Sequence, residues 1–233
     1  MSGILNIEIT NKCNLNCAWC GRKHMKRKSE NVDIRLIYKI AKILMNMRCR
    51  GVFIQLYGEP LVNPYWYEII KILNTHKLHV GFYTNGLLIN DDVINKLLDC
   101  YISEIFITMN QSSFKKTEKI LGCKRSFKVT PIYLNVPKKF KCKISKKEYI
   151  AWCKNNNINP RYLDYEPPFF RRKVKSCCFL EDGDCYLRKN SLVDVLTDGR
   201  LVGCVRDYDA EDCLGTIDDL DKVKYKNKRC PYI

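Results

Sequence analysis

Little at the start of the sequence suggests export: Met1-Ser2-Gly3-Ile4-Leu5-Asn6-Ile7-Glu8 shows no basic start, apolar core and small-residue cleavage site of a secretory leader, so no oxidising compartment is expected. It also lacks any apolar run near the ~20 residues that a membrane-spanning helix needs. A cytoplasmic location with no membrane partner is therefore expected. Acid is in short supply, with 25 Asp and Glu against 41 Lys and Arg and a formal net charge of +16. Basic runs at Arg22 to Lys28, Lys138 to Lys143 and Arg171 to Lys175 suit phosphates or an acidic peptide, or else form solvated faces. No recognisable nucleic-acid module accompanies them, which leaves nucleic acid a weaker candidate partner. Histidine is nearly absent at 3 residues, and His24 alone lies where a zinc ion in the first cysteine loop would find a fourth ligand.

Cysteine, in contrast, is plentiful, and 14 of them in a chain not expected in an oxidising compartment point to metal rather than to disulfides. Cys13, Cys17 and Cys20 form a C-x3-C-x2-C loop directly after the apolar run Ile4 to Ile9. Three thiolates so close in sequence wrap one small polynuclear cluster. A four-iron cubane held by three cysteines keeps one iron open, and an open position separates a reactive metal site from a structural one. The alternatives are structural zinc, a disulfide or buried thiols. A second group, Cys177, Cys178, Cys185, Cys204, Cys213 and Cys230, crowds residues 176–233, too densely for ordinary buried cysteines, and points to a second metal centre. That segment has 9 basic and 12 acidic residues against 32 and 13 in residues 1–175. The shift, together with Pro167-Pro168, divides the chain into residues 1–166, a linker at 167–175 and a second part at 176–233. Cys49, Cys100, Cys123, Cys142 and Cys153 have no metal-like spacing and read as buried or incidental.

Periodicity gives an α/β pattern. Asn31 or Asp33 caps a helix with Ile37, Ile40, Ala41, Leu44 and Met47 on one face, and Val52 to Tyr57 follows as a buried strand. Asn63 with Pro64 opens the next helix. His79 to Thr84 is a strand, Asn90 caps the helix through Val93, Ile94, Leu97 and Leu98, and Ile102 to Met109 is the next strand. The helix Phe114 to Leu121 ends at Gly122 as a left-handed cap. Phe127 to Val136 is a fifth strand, Ser145 to Glu148 fits a capping box for a helix to Asn155, and an extended segment runs from Ile158 to Tyr165. Six strand–helix units in about 165 residues are too few for a closed eight-stranded barrel of ~250 residues, so an incomplete (β/α)6 barrel is expected.

The cysteine loop, with Trp19 just before its third cysteine, resembles the cluster-binding signature of the radical SAM superfamily. Three more segments follow in the expected order. Tyr57-Gly58-Glu59-Pro60 resembles the Gly-Glu-Pro motif that holds the amino group of S-adenosylmethionine. Phe82 to Gly86 resembles the Thr-Asn-Gly motif along the cofactor wall, through Thr84 and Asn85. Ile107 to Gln111 stands where many members carry a Ser-x-Asp-Gly strand end near the ribose, with Asn110 in place of the acid. Alone, each is a common turn; together they fall at the carboxyl ends of expected parallel strands, where barrel enzymes collect their chemistry.

Cys185, Gly199, Cys204 and the Leu214-Gly215-Thr216-Ile217 stretch resemble the auxiliary-cluster domains called SPASM and Twitch, in which an Asp-Gly turn makes a small β-hairpin. The match is partial and implies one auxiliary 4Fe-4S cluster, with Cys178, Cys185, Cys204 and Cys230 as ligands and Cys177 and Cys213 as substitutes; a zinc knuckle on the same thiolates is the alternative. The resemblance thus implies a SAM-binding 4Fe-4S cluster on Cys13, Cys17 and Cys20, S-adenosylmethionine, and an external electron donor such as flavodoxin or ferredoxin. The implied reaction is reductive cleavage of S-adenosylmethionine to a 5′-deoxyadenosyl radical that abstracts hydrogen. A peptide or protein substrate, oxidised or crosslinked, is expected first, and a small alcohol or sugar second. From other classes, a zinc-binding nucleic-acid protein and an accessory member that binds a precursor peptide without turnover stand as alternatives; intact Cys13, Cys17, Cys20 and Glu59 argue against the latter.

Overall fold

Short-range signals start most of the helices. In α1 (Ile34–Asn46) the Asp33 carboxylate accepts the Arg35 N–H at 2.8 Å. Asn90 does the same for Val93 in α3 (Asp91–Leu98). Ser145 and Glu148 close a reciprocal capping box on α5 (Lys146–Asn155). The computed structural model describes residues 3–135, 144–164, 180–181, 184–185, 192–204, 207 and 209–223.

The remaining elements are β1 (Gly3–Ile7), β2 (Gly51–Ile54), α2 (Trp66–Thr75), β3 (His79–Thr84), β4 (Ile102–Thr108), α4 (Phe114–Gly122), β5 (Lys128–Asn135) and β6 (Tyr162–Asp164). Then come β7 (Leu180–Glu181) and β8 (Asp184–Cys185), paired with each other, and β9 (Leu192–Val195), β10 (Arg200–Val202) and β11 (Cys213–Thr216). Nine strands form one sheet in the order β11-β10-β9-β1-β2-β3-β4-β5-β6. From β1 to β6 every neighbouring pair is parallel and follows chain order, and right-handed crossovers then place the intervening helices on one face. Ile7, Ile54, Phe82 and Ile107 on that face are buried with Ile37, Leu44, Ile70 and Leu97 in one hydrophobic core. By the two-residue period of strands, Asn6, Phe53, Tyr83 and Phe106 point the other way. There Tyr83 stacks on Phe106 with ring centroids 4.4 Å apart, and Gly81 leaves room for Phe53, whose ring a Cβ would meet at 2.4 Å.

The hairpin expected at Asp198-Gly199 forms between antiparallel β9 and β10, with Gly199 at φ +84°. It does not stand apart: β9 pairs in parallel with β1, opposing Asn6 to Asp194 and Ile7 to Val195. The last described strands therefore continue the sheet of the first part.

Three local expectations are corrected. The strand expected over Val52 to Tyr57 stops at Ile54. The second helix starts at Trp66 rather than Pro64; Asn63 turns the chain into it, its Oδ1 accepting the Tyr65 N–H at 2.9 Å and its carbonyl the Trp66 N–H at 3.1 Å, while its Nδ2 donates to the Ile9 carbonyl at 2.7 Å. Gly122 is an ordinary helical residue, not a left-handed cap. The Leu121 carbonyl is instead taken by the Arg125 guanidinium, which also shares the Ile120 carbonyl with the Cys123 N–H. Among the described residues, no helix is long and apolar enough to cross a membrane.

Candidate functional site at the strand ends

The loop leaving β1 brings Cys13, Cys17 and Cys20 onto one half-buried surface. Cys20 donates its N–H to the Cys17 carbonyl at 3.1 Å, and Lys23 returns to the Cys20 carbonyl in the turn Gly21–His24. The Leu15 N–H points at the Cys13 sulfur at 3.4 Å, and the Arg22 guanidinium ties the loop across to the Leu15 carbonyl at 2.7 Å. Burial pushes the Cys13 and Cys17 thiols up, and for Cys17 the adjacent Cys20 and Cys13 add to it. The three sulfurs are thus electrostatic neighbours.

Among the described residues, no three His, Cys, Asp or Glu side chains converge as a single metal ion requires, and exposed His24 does not complete such a group. One tetrahedral ion draws each sulfur to about 2.3 Å of a common point. A cubane offers each thiolate a different iron, and three soft sulfur donors on one loop fit it.

Gly58 is pressed against the exit of β1. A Cβ there would lie 2.0 Å from the Thr10 carbonyl oxygen and 2.8 Å from that of Lys12, so no other residue fits. Glu59 then donates its N–H to the same Lys12 carbonyl at 2.8 Å, one residue before Cys13. The Glu59 side chain is 3 % exposed. Its carboxylate accepts the Thr84 hydroxyl at 2.7 Å, the Asn85 N–H at 2.7 Å and the Leu61 N–H at 3.3 Å. Burial pushes this carboxyl up, and the three donors pull it back. A carboxylate has about four acceptor positions, so one remains for a further donor.

Thr84 and Asn85 end β3. Thr84 is buried and also accepts the Gly86 N–H, and Gly86 turns the chain at φ +74°. Asn85 is the hub. Its Nδ2 donates to Oδ1 of Asn14 inside the cysteine loop at 2.8 Å, and its carbonyl accepts Nδ2 of Asn110 at 3.1 Å. Asn110 also accepts the Ser112 N–H, capping the short turn after β4. The four segments expected to share a site are therefore hydrogen-bonded or packed on one another.

Of the second cysteine set, Cys204 is 8 % exposed, and burial together with Cys204, Glu8, Asp194 and Asp207 pushes the Tyr57 phenol well above its ordinary value. Cys204 thus comes near Tyr57, immediately before Gly58. Cys178 and Cys230 lie outside the described residues, as does Cys177, and of Cys185 only the backbone in β8 is described. Cys213 is exposed on β11, its sulfur directed at the Gly215 carbonyl.

Sequence reasoning missed a polar layer on the face away from the helices. Asn6 donates to Asp194 at 2.6 Å and accepts from Gln55 at 2.5 Å, and Glu8, 0 % exposed, pairs with Arg27 at 2.9 Å. The available signal was the period-two placement of Asn6 and Glu8 in an otherwise apolar strand.

Comparison with known proteins agrees with this geometry. A family model described as the radical SAM superfamily matches residues 7–130. The mycofactocin maturase MftC of Mycobacterium ulcerans is 29% identical over 118 residues, which cover 51% of this chain and 32% of that protein. The matches span about a third of the length of the first such relatives. In fold, the chain resembles Streptococcus suis SuiB bound to the precursor peptide SuiA, with a TM-score of 0.71 at 13% identity, covering 97% of this chain and 65% of SuiB. It also resembles BtrN in complex with AdoMet and 2-DOIA, with a TM-score of 0.60 at 15% identity, covering 94% of this chain and 82% of BtrN.

Proposed function

The chain belongs to the radical SAM superfamily, and from that membership we propose that it modifies a peptide or protein, oxidising or crosslinking a side chain. In this reading the sheet from β1 to β6 is the incomplete (β/α)6 barrel of the family, and the hairpin with its cysteines is a SPASM- or Twitch-like element. When bound, the cluster and S-adenosylmethionine supply a 5′-deoxyadenosyl radical for hydrogen abstraction, driven by an electron from a donor such as flavodoxin or ferredoxin. Cys13, Cys17 and Cys20 hold the first 4Fe-4S cluster. Gly58 brings its backbone close to the loop, and the remaining acceptor position of Glu59 takes an N–H of the methionyl amino group. Thr84 and Asn85 hold the wall beside the cofactor, and Asn110 braces that wall near the ribose. Cys178, Cys185, Cys204 and Cys230 hold one auxiliary cluster.

The observation that carries the reading is the hub at Asn85, which links the cysteine loop through Asn14, the Gly-Glu-Pro segment through Glu59, and the β4 end through Asn110. The peptide substrate rests on the second cysteine group and accords with the partial match to a maturase and the fold likeness to SuiB. Anaerobic reconstitution with iron and sulfide tests the reading. Iron per chain and 5′-deoxyadenosine formation should both be high in the parent, and the nucleoside should vanish when Cys13, Cys17 and Cys20 are all replaced by alanine. Zinc in place of iron, or unchanged cleavage in the triple variant, overturns it.

A further inference from the structure

Arg27 lies near the end of the basic run that follows the cysteine loop, yet its side chain is only 5 % exposed. The guanidinium grips both oxygens of Glu8, at 3.0 and 2.9 Å, and reaches the Thr197 hydroxyl at 3.3 Å. Glu8 itself accepts the Thr197 N–H at 3.2 Å, and the Thr197 hydroxyl donates to Glu30 at 3.2 Å. Three segments thus meet at one buried ion pair: the end of β1, the arm from Lys26 to Glu30, and the turn between β9 and β10. A second grip lies beside it. The Asp209 carboxylate accepts the backbone N–H groups of Lys26 at 2.7 Å and Arg27 at 3.1 Å, and the Asp209 carbonyl is reached by Arg200 of β10.

The arm has no helix or strand of its own beyond the short turn Gly21–His24; its far end is tied to Asn11 through Lys28 and Glu30, and the Arg27 and Asp209 contacts tie its middle to the hairpin. On its upstream side it begins at Cys20, and Arg22 ties it back to Leu15 within the loop. The turn at Thr197 and the stretch bearing Asp209 flank Cys204, whose carbonyl accepts the Asp207 N–H. One guanidinium nitrogen, Nη2, meets both Glu8 oxygens while the other, Nη1, reaches Thr197, so a single rigid, planar group holds β1 and the hairpin turn at once.

We propose that Arg27 and Asp209 are positioning residues that latch the cysteine loop to the β9–β10 hairpin, making the hairpin a working part of the first cluster site. The proposal rests on the cluster assignment above. It follows that the docked hairpin steadies the loop in its cluster-ready shape alongside the Arg22–Leu15 and Asn85–Asn14 bonds, and that changes to the latch residues reach the first cluster without touching its ligands.

The test uses the full chain, reconstituted anaerobically, with Asp209→Ala and Arg27→Lys. Asp209→Ala removes a partly exposed carboxylate and leaves the buried ion pair, so folding is preserved; Arg27→Lys keeps the charge and removes the second nitrogen, which reaches Thr197. The readouts are the paramagnetic resonance signal that shifts when S-adenosylmethionine is added, its rate of loss to an iron chelator, and thermal melting of the apoprotein. The S-adenosylmethionine-responsive signal should be lost at least about tenfold faster in Asp209→Ala, the factor carried by one charge-assisted hydrogen bond, while melting stays near the parent's. Arg27→Lys should show the same acceleration and an altered signal shape. Parent-like loss rates and signal shape in both variants overturn the latch. Absence of any S-adenosylmethionine-responsive iron signal in the parent instead overturns the cluster assignment.

Discussion

Asn85, at the end of β3, donates its side-chain amide to the side-chain oxygen of Asn14 at 2.8 Å, joining the Thr-Asn-Gly turn to the cysteine loop across 71 residues of sequence. Both groups are neutral, so the bond contributes on the order of 0.5–1.5 kcal/mol. Its value is positional, because Asn14 directly follows Cys13. Asn14→Ala should speed iron loss from the first cluster by about three- to tenfold, and Asn85→Ala by at least as much, since it also frees the Leu87 N–H. The double variant should be no worse than Asn85→Ala. Additive effects would mean that the two residues act independently.

Glu59 clips the ends of β2 and β3 together before it meets any ligand. Its replacement by alanine should therefore have two separable effects. S-adenosylmethionine binding should weaken by about 1.5–3 kcal/mol, the range for a hydrogen bond to a charged group. The apoprotein should also lose about 1–3 kcal/mol, because the buried Thr84 hydroxyl and the Asn85 N–H lose their acceptor. Anaerobic titration and urea unfolding measure the two, and an unchanged cofactor affinity would remove Glu59 from the binding site.

Features whose cause is local were legible in the sequence. Asp33, Asn90 and the Ser145/Glu148 box act within four residues, and each caps where expected. Where another side chain intervenes, the expected cap fails: the Arg125 guanidinium, and not a left-handed glycine at Gly122, takes the Leu121 carbonyl at the end of α4. The same division runs through the site. The motif residues stand out singly, but the partners that organise them, Asn14 with Asn85 and Glu8 with Arg27, are set by strand order. Asn110 departs from the acid of similar proteins, and the structure supplies a reason: its amide donates to the Asn85 carbonyl, which an ionised aspartate cannot do. The placement of β9 beside β1 had no local signal, because a parallel pairing across the whole chain leaves no mark on either strand alone.

Asp194 carries a pH signature. It is 1 % exposed and accepts Asn6 Nδ2 at 2.6 Å, and burial, with a smaller contribution from the Glu8 charge, pushes its carboxyl up to about 7. The folded state thus holds a proton that the unfolded chain releases near its ordinary value of 3.8. Its effect on stability is absent below about pH 4, grows as pH rises, and is a full penalty above about pH 7, at up to about 1.4 kcal/mol per pH unit. Asp194→Asn abolishes this titration. Relative to the parent, the apoprotein variant should gain about 2–4 kcal/mol between pH 4 and pH 8 in urea unfolding. A difference that does not vary with pH would show that Asp194 is not held protonated.

Cys204 gives the sharpest test of the second metal centre. It is buried beside Tyr57, at the same end of the sheet as Gly58 and the first cysteine loop, and it follows the Gly199 turn by five residues on the hairpin that β9 fixes to β1. Cys213 cannot replace it without moving β11, where its sulfur faces the Gly215 carbonyl. If Cys204 ligates an auxiliary 4Fe-4S cluster, Cys204→Ala should lower bound iron by about four per chain, because four thiolates saturate one cubane. The first cluster should stay responsive to S-adenosylmethionine, since Cys204→Ala alters neither its three cysteines nor the Arg27 and Asp209 contacts that hold their loop, and 5′-deoxyadenosine should still form, uncoupled from product. Iron counted per chain in the parent, in Cys204→Ala and in the Cys13/Cys17/Cys20 triple variant resolves the two centres. About eight, four and four irons are expected, and a Cys204→Ala count equal to the parent's would mean that Cys204 is packed and not a ligand.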